Sequence, residues 1–178
     1  MNFFIQSLTY FRIISAPIIF VLITLFDFYG SALFIFFLAS ISDYWDGFLA
    51  RKYKLESMIG AILDPIADKI LIVFLILGLS IELSSIFIGF AGGLMLVREF
   101  WVTALRELNS KNGRADLTKV TQLAKVKTSI QFATFGGYLF GLFLENIFII
   151  FLSNFFLLLA LIITIQTGFS YTVSSFKD

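Results

Sequence analysis

Four aspartates, Asp43, Asp46, Asp64 and Asp68, stand in a stretch whose surroundings are as apolar as a bilayer interior, DYWDGFLARKYKLESMIGAILDPIAD. An ionised carboxylate at the centre of a membrane helix costs roughly 2.5–3.5 kcal/mol even on a lenient insertion scale, so four of them require compensation. On a helix, Asp43, Asp46 and Ala50 fall at i, i+3 and i+7 and share a face, while Gly60, Asp64 and Asp68 fall at i, i+4 and i+8 and form a second stripe. Two acidic stripes can therefore face each other. Carboxylates about 5 Å apart at an effective dielectric of about 20 repel by about 3 kcal/mol per pair. A divalent cation removes that repulsion, and all-oxygen ligation favours a hard ion such as Mg2+, Mn2+ or Ca2+ over zinc. The plainer alternative is that the carboxylates pair with basic side chains or lie in a solvated loop. The basic residues near them in sequence are Arg51, Lys52, Lys54 and Lys69.

Composition narrows the chemistry further. Of 178 residues 59% are hydrophobic and 14% charged, too apolar for an ordinary water-soluble domain. Neither cysteine nor histidine is present, which leaves metal ligation and general acid–base work to carboxylates, lysines and tyrosines. A net charge of +1, with no basic run interleaved with aromatics, gives no reason to expect nucleic acid as a partner.

The elements that must carry these residues are membrane helices. Six segments are long and apolar enough to span, at about 7–26, 31–51, 57–79, 85–108, 122–143 and 147–172, so the expected fold is an all-α, six-transmembrane-helix bundle in one domain, 1–178. The first segment is too long, and lacks the small-residue cleavage site, for a removable signal. Connections on one side hold Asp27, Glu82 and Glu145 and no Lys or Arg, whereas all 13 basic residues lie in the other half. Positive-inside asymmetry then puts both termini and both acidic stripes on the cytoplasmic side of the cell membrane. The longest polar stretch, Asn109 to Lys119, reads as a loop turning at Asn112-Gly113. Pro65 is expected inside a helix, with a kink between Gly60 and Asp68.

Glycines sharpen the pattern: Gly47 follows the second aspartate and Gly60 precedes the third by one turn, where a missing side chain lets a helix or ligand approach the backbone. The arrangement D-x-x-D-G-x-x-A-R, eight residues, then G-x-x-x-D-x-x-x-D resembles the signature of the CDP-alcohol phosphatidyltransferases, filled by Asp43, Asp46, Gly47, Ala50, Arg51, Gly60, Asp64 and Asp68. That resemblance implies attack of an alcohol on the β-phosphorus of a CDP-linked lipid, with release of CMP. It also implies Mg2+ or Mn2+ on Asp43, Asp46, Asp64 and Asp68, which can hold one ion or two, with two expected, Asp68 as general base, and a homodimer. Gly47, Ala50, Arg51 and Gly60 would line the cytidine and phosphate site, and Arg51 suits the pyrophosphate because its donor fork matches phosphate oxygens. Lys52 and Lys54 read as membrane-surface charges. Ser57 stands where the family often has threonine, and Gln6 with Thr9 stands for the family's Asn-x-x-Thr near the first helix.

The signature does not name the acceptor. Ser7–Pro17, Leu63–Lys69, Arg98–Glu107 and Lys125–Gln131 resemble the family members that use sn-glycerol 3-phosphate. A phosphorylated acceptor needs cations, and Arg98, Arg106, Lys125 and Lys127 are the candidates. Lys125 and Lys127 lie about 200° apart on a helix, so one of them points inward, and Lys127 with Thr128 and Gln131 is preferred. Glu99 is expected to pair with Arg98 across helices, leaving a purely structural ion pair as the alternative for both. Lys69 either reaches phosphate or neutralises the acidic cluster. Serine, an inositol compound or phosphatidylglycerol as acceptor would share the signature. Outside enzymes, intramembrane acids also occur in cation transporters, but those tend to show inverted repeats and midplane sites, and no repeat is visible here.

Overall fold

The structure, a computed structural model, describes the backbone of residues 2–53, 58–114 and 122–176 and, within these, the side chains of residues 6–42, 45, 63–114 and 126–176. The described residues form six helices: α1 (Asn2–Thr24), α2 (Tyr29–Tyr53), α3 (Met58–Glu82), α4 (Ile86–Lys111), α5 (Gln122–Phe143) and α6 (Ile147–Ser175). These coincide with the six apolar segments of the sequence, extended by a turn or so at several ends. α3 is continuous through Pro65, as α1 is through Pro17.

Among the described residues each helix packs mainly on two others, and the pairs close into a ring in the order α1, α2, α5, α6, α4, α3 and back to α1. α1 thus lies between α2 and α3, the two helices of the acidic stripes. α6 likewise lies between α4 and α5. Ala16, Ala32 and Ala39 are fully buried, so α1 and α2 bring small residues to the core, which lets membrane helices approach closely. Leu71, Leu75 and Leu79 of α3, Ile88 and Met95 of α4, Phe135 and Leu139 of α5, and Leu157 of α6 complete one continuous core. Gly92 of α4 sits against Ile76 of α3; a methyl there would meet three Ile76 carbons at 2.6–2.7 Å.

The outside is as apolar as the core. Phe34, Phe37, Phe90, Phe151 and Phe169 are all more than half exposed, an exterior suited to lipid rather than water. By length and composition three described helical segments can cross a membrane: Gln6–Thr24, Ile86–Lys111 and Ile147–Ser175.

Two of the short connections are built alike. At the end of α3 the amide of Ser84 donates to Ile81 O and that of Ser85 to Ser80 O; at the end of α5 Glu145 donates to Leu142 O and Asn146 to Gly141 O. This double bond pattern is the Schellman cap, and its left-handed residue is Ser84 (φ 45°) or Glu145 (φ 50°), where glycine is the usual choice. The next residue starts the following helix. Ser85 accepts from the amide of Ile88, and Asn146 from those of Phe148 and Ile149.

Candidate functional site

α3 brings Asp64 and Asp68 to one face, a helical turn apart, and turns them toward α1. There Thr9 Oγ1 donates to Asp64 Oδ1 at 2.8 Å. Arg12, one turn further along α1, lies 3.5 Å from the same oxygen and donates from Nη1 to Asp68 Oδ1. Arg12 is wholly buried, while the two carboxylates are 39% and 37% exposed. The pair of acids is therefore backed by a permanent positive charge and open on another side.

A second polar cluster sits at the same end, between α4, α5 and α6. Arg98 Nε donates to Thr164 O at 3.0 Å and Arg98 Nη2 to Thr167 Oγ1 at 2.7 Å. Gly168 makes this crossing possible, because a Cβ there would lie 2.8 Å from Arg98 Cγ. The Tyr171 ring lies 5.8 Å from the Arg98 guanidinium and 5.2 Å from that of Arg106, whose Nη2 also donates to the Tyr171 hydroxyl at 3.4 Å. Glu99 Oε1 accepts from Arg98 at 3.3 Å and from the ammonium of buried Lys127. Gln131 and Thr134, one and two turns beyond Lys127, are buried as well. Among the described residues this cluster holds three cations, Arg98, Arg106 and Lys127, against the single carboxylate of Glu99.

The structure corrects several expectations. Among the described residues a cation on Asp64 and Asp68 is Arg12, contributed from another helix, whereas the side chains of the sequence neighbours Arg51, Lys52 and Lys54 fall outside the described residues. Lys69 instead donates to Thr103 Oγ1 at 3.1 Å and lies over the Phe100 ring, tying α3 to α4. Thr9, expected at the donor lipid, stands beside the acidic pair, its hydroxyl donating to Asp64. Glu99 reaches across helices to Lys127, and its contact with Arg98 is within α4, since the two residues are adjacent. Thr128, grouped with Lys127 and Gln131, is exposed. Gln6 lies on α1 and is partly buried.

Asp43, Asp46, Gly47, Ala50 and Arg51 lie on α2, Gly60 on α3 and Lys125 on α5, but their side-chain positions fall outside the described residues; Ser57 falls outside them altogether. Among the described residues no three potential ligands of the His, Cys, Asp or Glu types come together. The donors that are described fit a hard divalent ion in type, since Asp64 and Asp68 offer only carboxylate oxygen and are accessible. Residues that sequence reasoning passed over are Arg12, Thr164, Thr167, Gly168 and Tyr171. Arg12 was open to discovery as the one charge within the first apolar span.

Known proteins resemble this chain over most of its length. The sequence profile of the CDP-alcohol phosphatidyltransferase family matches residues 6–166. A Yersinia enterocolitica protein described as CDP-diacylglycerol--glycerol-3-phosphate 3-phosphatidyltransferase is 33% identical over 175 residues, covering 96% of this chain and 93% of its own. Proteins of the same description from Cereibacter sphaeroides and Wigglesworthia glossinidia brevipalpis are each 37% identical, over 83% and 70% of this chain and 68% and 69% of their own lengths.

Proposed function

Because the chain belongs to the CDP-alcohol phosphatidyltransferase family, we propose that it transfers the phosphatidyl group of CDP-diacylglycerol to sn-glycerol 3-phosphate, giving phosphatidylglycerophosphate and CMP. The observation that carries the reading is the complete signature from Asp43 to Asp68 in a chain whose relatives of that description match it nearly end to end. Among the described residues the excess of cation over carboxylate around Arg98, Arg106 and Lys127 supports a phosphorylated acceptor over serine, because a cluster of that sign calls for an anion.

In this reading Asp43, Asp46, Asp64 and Asp68 hold Mg2+ or Mn2+, two ions in all, which when bound neutralise the pyrophosphate oxygens. Gly47, Ala50, Arg51, Ser57 and Gly60, with Gln6 and Thr9, form the donor side, where Arg51 grips phosphate. Arg98, Arg106 and Lys127, with Lys125, orient the acceptor by its phosphate. Asp68 takes the proton of the acceptor hydroxyl as that oxygen bonds to the β-phosphorus, and CMP leaves with the bond electrons. Thr9 and Arg12 fix the carboxylates from behind.

The six helices each span the cytoplasmic membrane, both termini and the site face the cytoplasm, and the protein works as a homodimer. The basic residues gathered at one end and the acids Asp27, Glu82 and Glu145 at the other support that orientation.

Purified protein given CDP-diacylglycerol and, separately, radiolabelled glycerol 3-phosphate, serine, inositol, inositol phosphate and phosphatidylglycerol tests the assignment. CMP release and a labelled lipid with glycerol 3-phosphate alone are expected. CMP release with serine and not with glycerol 3-phosphate would overturn the choice of acceptor.

A further inference from the structure

We propose that Arg12 is the internal counter-ion of the acidic site: a positioning residue that holds Asp64 and Asp68 when no divalent ion is present and whose charge limits how tightly such an ion is bound. The inference rests on the reading that Asp64 and Asp68 are ion ligands.

The geometry is specific. Thr9 and Arg12 stand three residues apart on α1, and Asp64 and Asp68 four apart on α3, so one turn of donors meets one turn of acceptors. The contacts from α1 described above all fall on the Oδ1 atoms, while both carboxylates are more than a third exposed. An ion arriving from the exposed side therefore meets ligands that already have a cation behind them. A guanidinium cannot shed its charge, and Arg12 is wholly buried, so withdrawing both carboxylates would cost a buried charge these two ion pairs. The ion and Arg12 consequently share the two carboxylates. Sharing has a sign: a unit positive charge a few ångströms from a divalent ion opposes it more strongly than any loss of carboxylate orientation would. Removing the charge of Arg12 must therefore weaken the ion-free protein and strengthen ion binding together.

The test uses the full chain purified in detergent, as wild type, Arg12→Lys, Arg12→Met and the double variant Arg12→Met/Asp68→Asn. Thermal unfolding is followed in EDTA and in Mn2+, and Mn2+ affinity is measured by electron paramagnetic resonance of the free ion. In EDTA, Arg12→Met is expected to unfold below wild type, and the double variant, with one carboxylate neutralised, to regain much of the loss. Mn2+ is expected to raise the unfolding temperature of Arg12→Met more than that of wild type, with Kd tightened by about tenfold or more. Arg12→Lys, which keeps the charge, should bind Mn2+ like wild type. An Arg12→Met Mn2+ shift equal to or smaller than wild type, or an unchanged or weaker Kd, overturns the proposal while leaving the metal reading intact. If Arg12→Met does not fold, the double variant decides: failure of that variant to fold as well would overturn the counter-ion role, because the excess negative charge is then not what destabilises. Mn2+ binding by neither wild type nor any variant overturns the metal reading, and this proposal with it.

Discussion

Lys127 of α5 donates to Glu99 of α4 across the inside of the helix ring, joining two helices that are separated in packing order by α6. The same Glu99 oxygen accepts from Arg98, so one carboxylate restrains two of the cations assigned to the acceptor. Lys127→Met removes a charge-assisted contact worth about 1.5–3 kcal/mol, which corresponds to a rise of roughly 10- to 150-fold in KM for glycerol 3-phosphate. Steady-state kinetics with varied acceptor and saturating donor will show it. A fall confined to kcat would count against phosphate binding at Lys127.

Asp68→Asn removes the proposed base but keeps the size of the side chain. Turnover is expected to drop by about 10²- to 10⁴-fold, while CDP-diacylglycerol still binds within a few-fold of wild type. Single-turnover CMP release and equilibrium donor binding separate the two. Near-wild-type turnover would remove Asp68 from the proton transfer.

Two glycines make a matched pair of tests. Gly92→Ala drives a methyl into Ile76, and about 1–3 kcal/mol of stability should be lost with KM for acceptor unchanged. Gly168→Ala drives one into the Arg98 stem, which must then give up its bonds to Thr164 and Thr167. Its signature is a severalfold rise in acceptor KM, which unfolding and kinetic measurements on both variants will distinguish.

Ser84 carries a left-handed backbone that costs an L-residue about 1–2 kcal/mol and glycine nothing steric. After the extra chain entropy of glycine is deducted, Ser84→Gly should stabilise by about 0.5–1 kcal/mol with kinetics unchanged. Thermal unfolding in detergent measures it, and a lower unfolding temperature would contradict the cap assignment.

Six apolar runs of spanning length gave away all six helices, because hydrophobic length is a local property that packing does not rearrange. The acidic signature was equally legible, since Asp43, Asp46, Asp64 and Asp68 repeat at helical spacing. What joins them to the rest was not. Arg12 lies 52 residues before Asp64 in the chain, and only the packing of α1 on α3 makes them neighbours. Tyr171, Thr167 and Gly168 looked like ordinary lipid-helix residues until Arg98 was seen to cross α6 beside them. The Schellman caps at Ser84 and Glu145 escaped notice for the opposite reason: the glycine that normally announces them is absent.

Those caps carry a mechanical consequence. Ser85 closes α3 and opens α4, and Asn146 does the same for α5 and α6, so neither hairpin can splay at that rim without breaking two caps at once. The far rim is riveted. Any movement of the two helices of either hairpin against each other is therefore smallest at its capped turn and grows toward the opposite end.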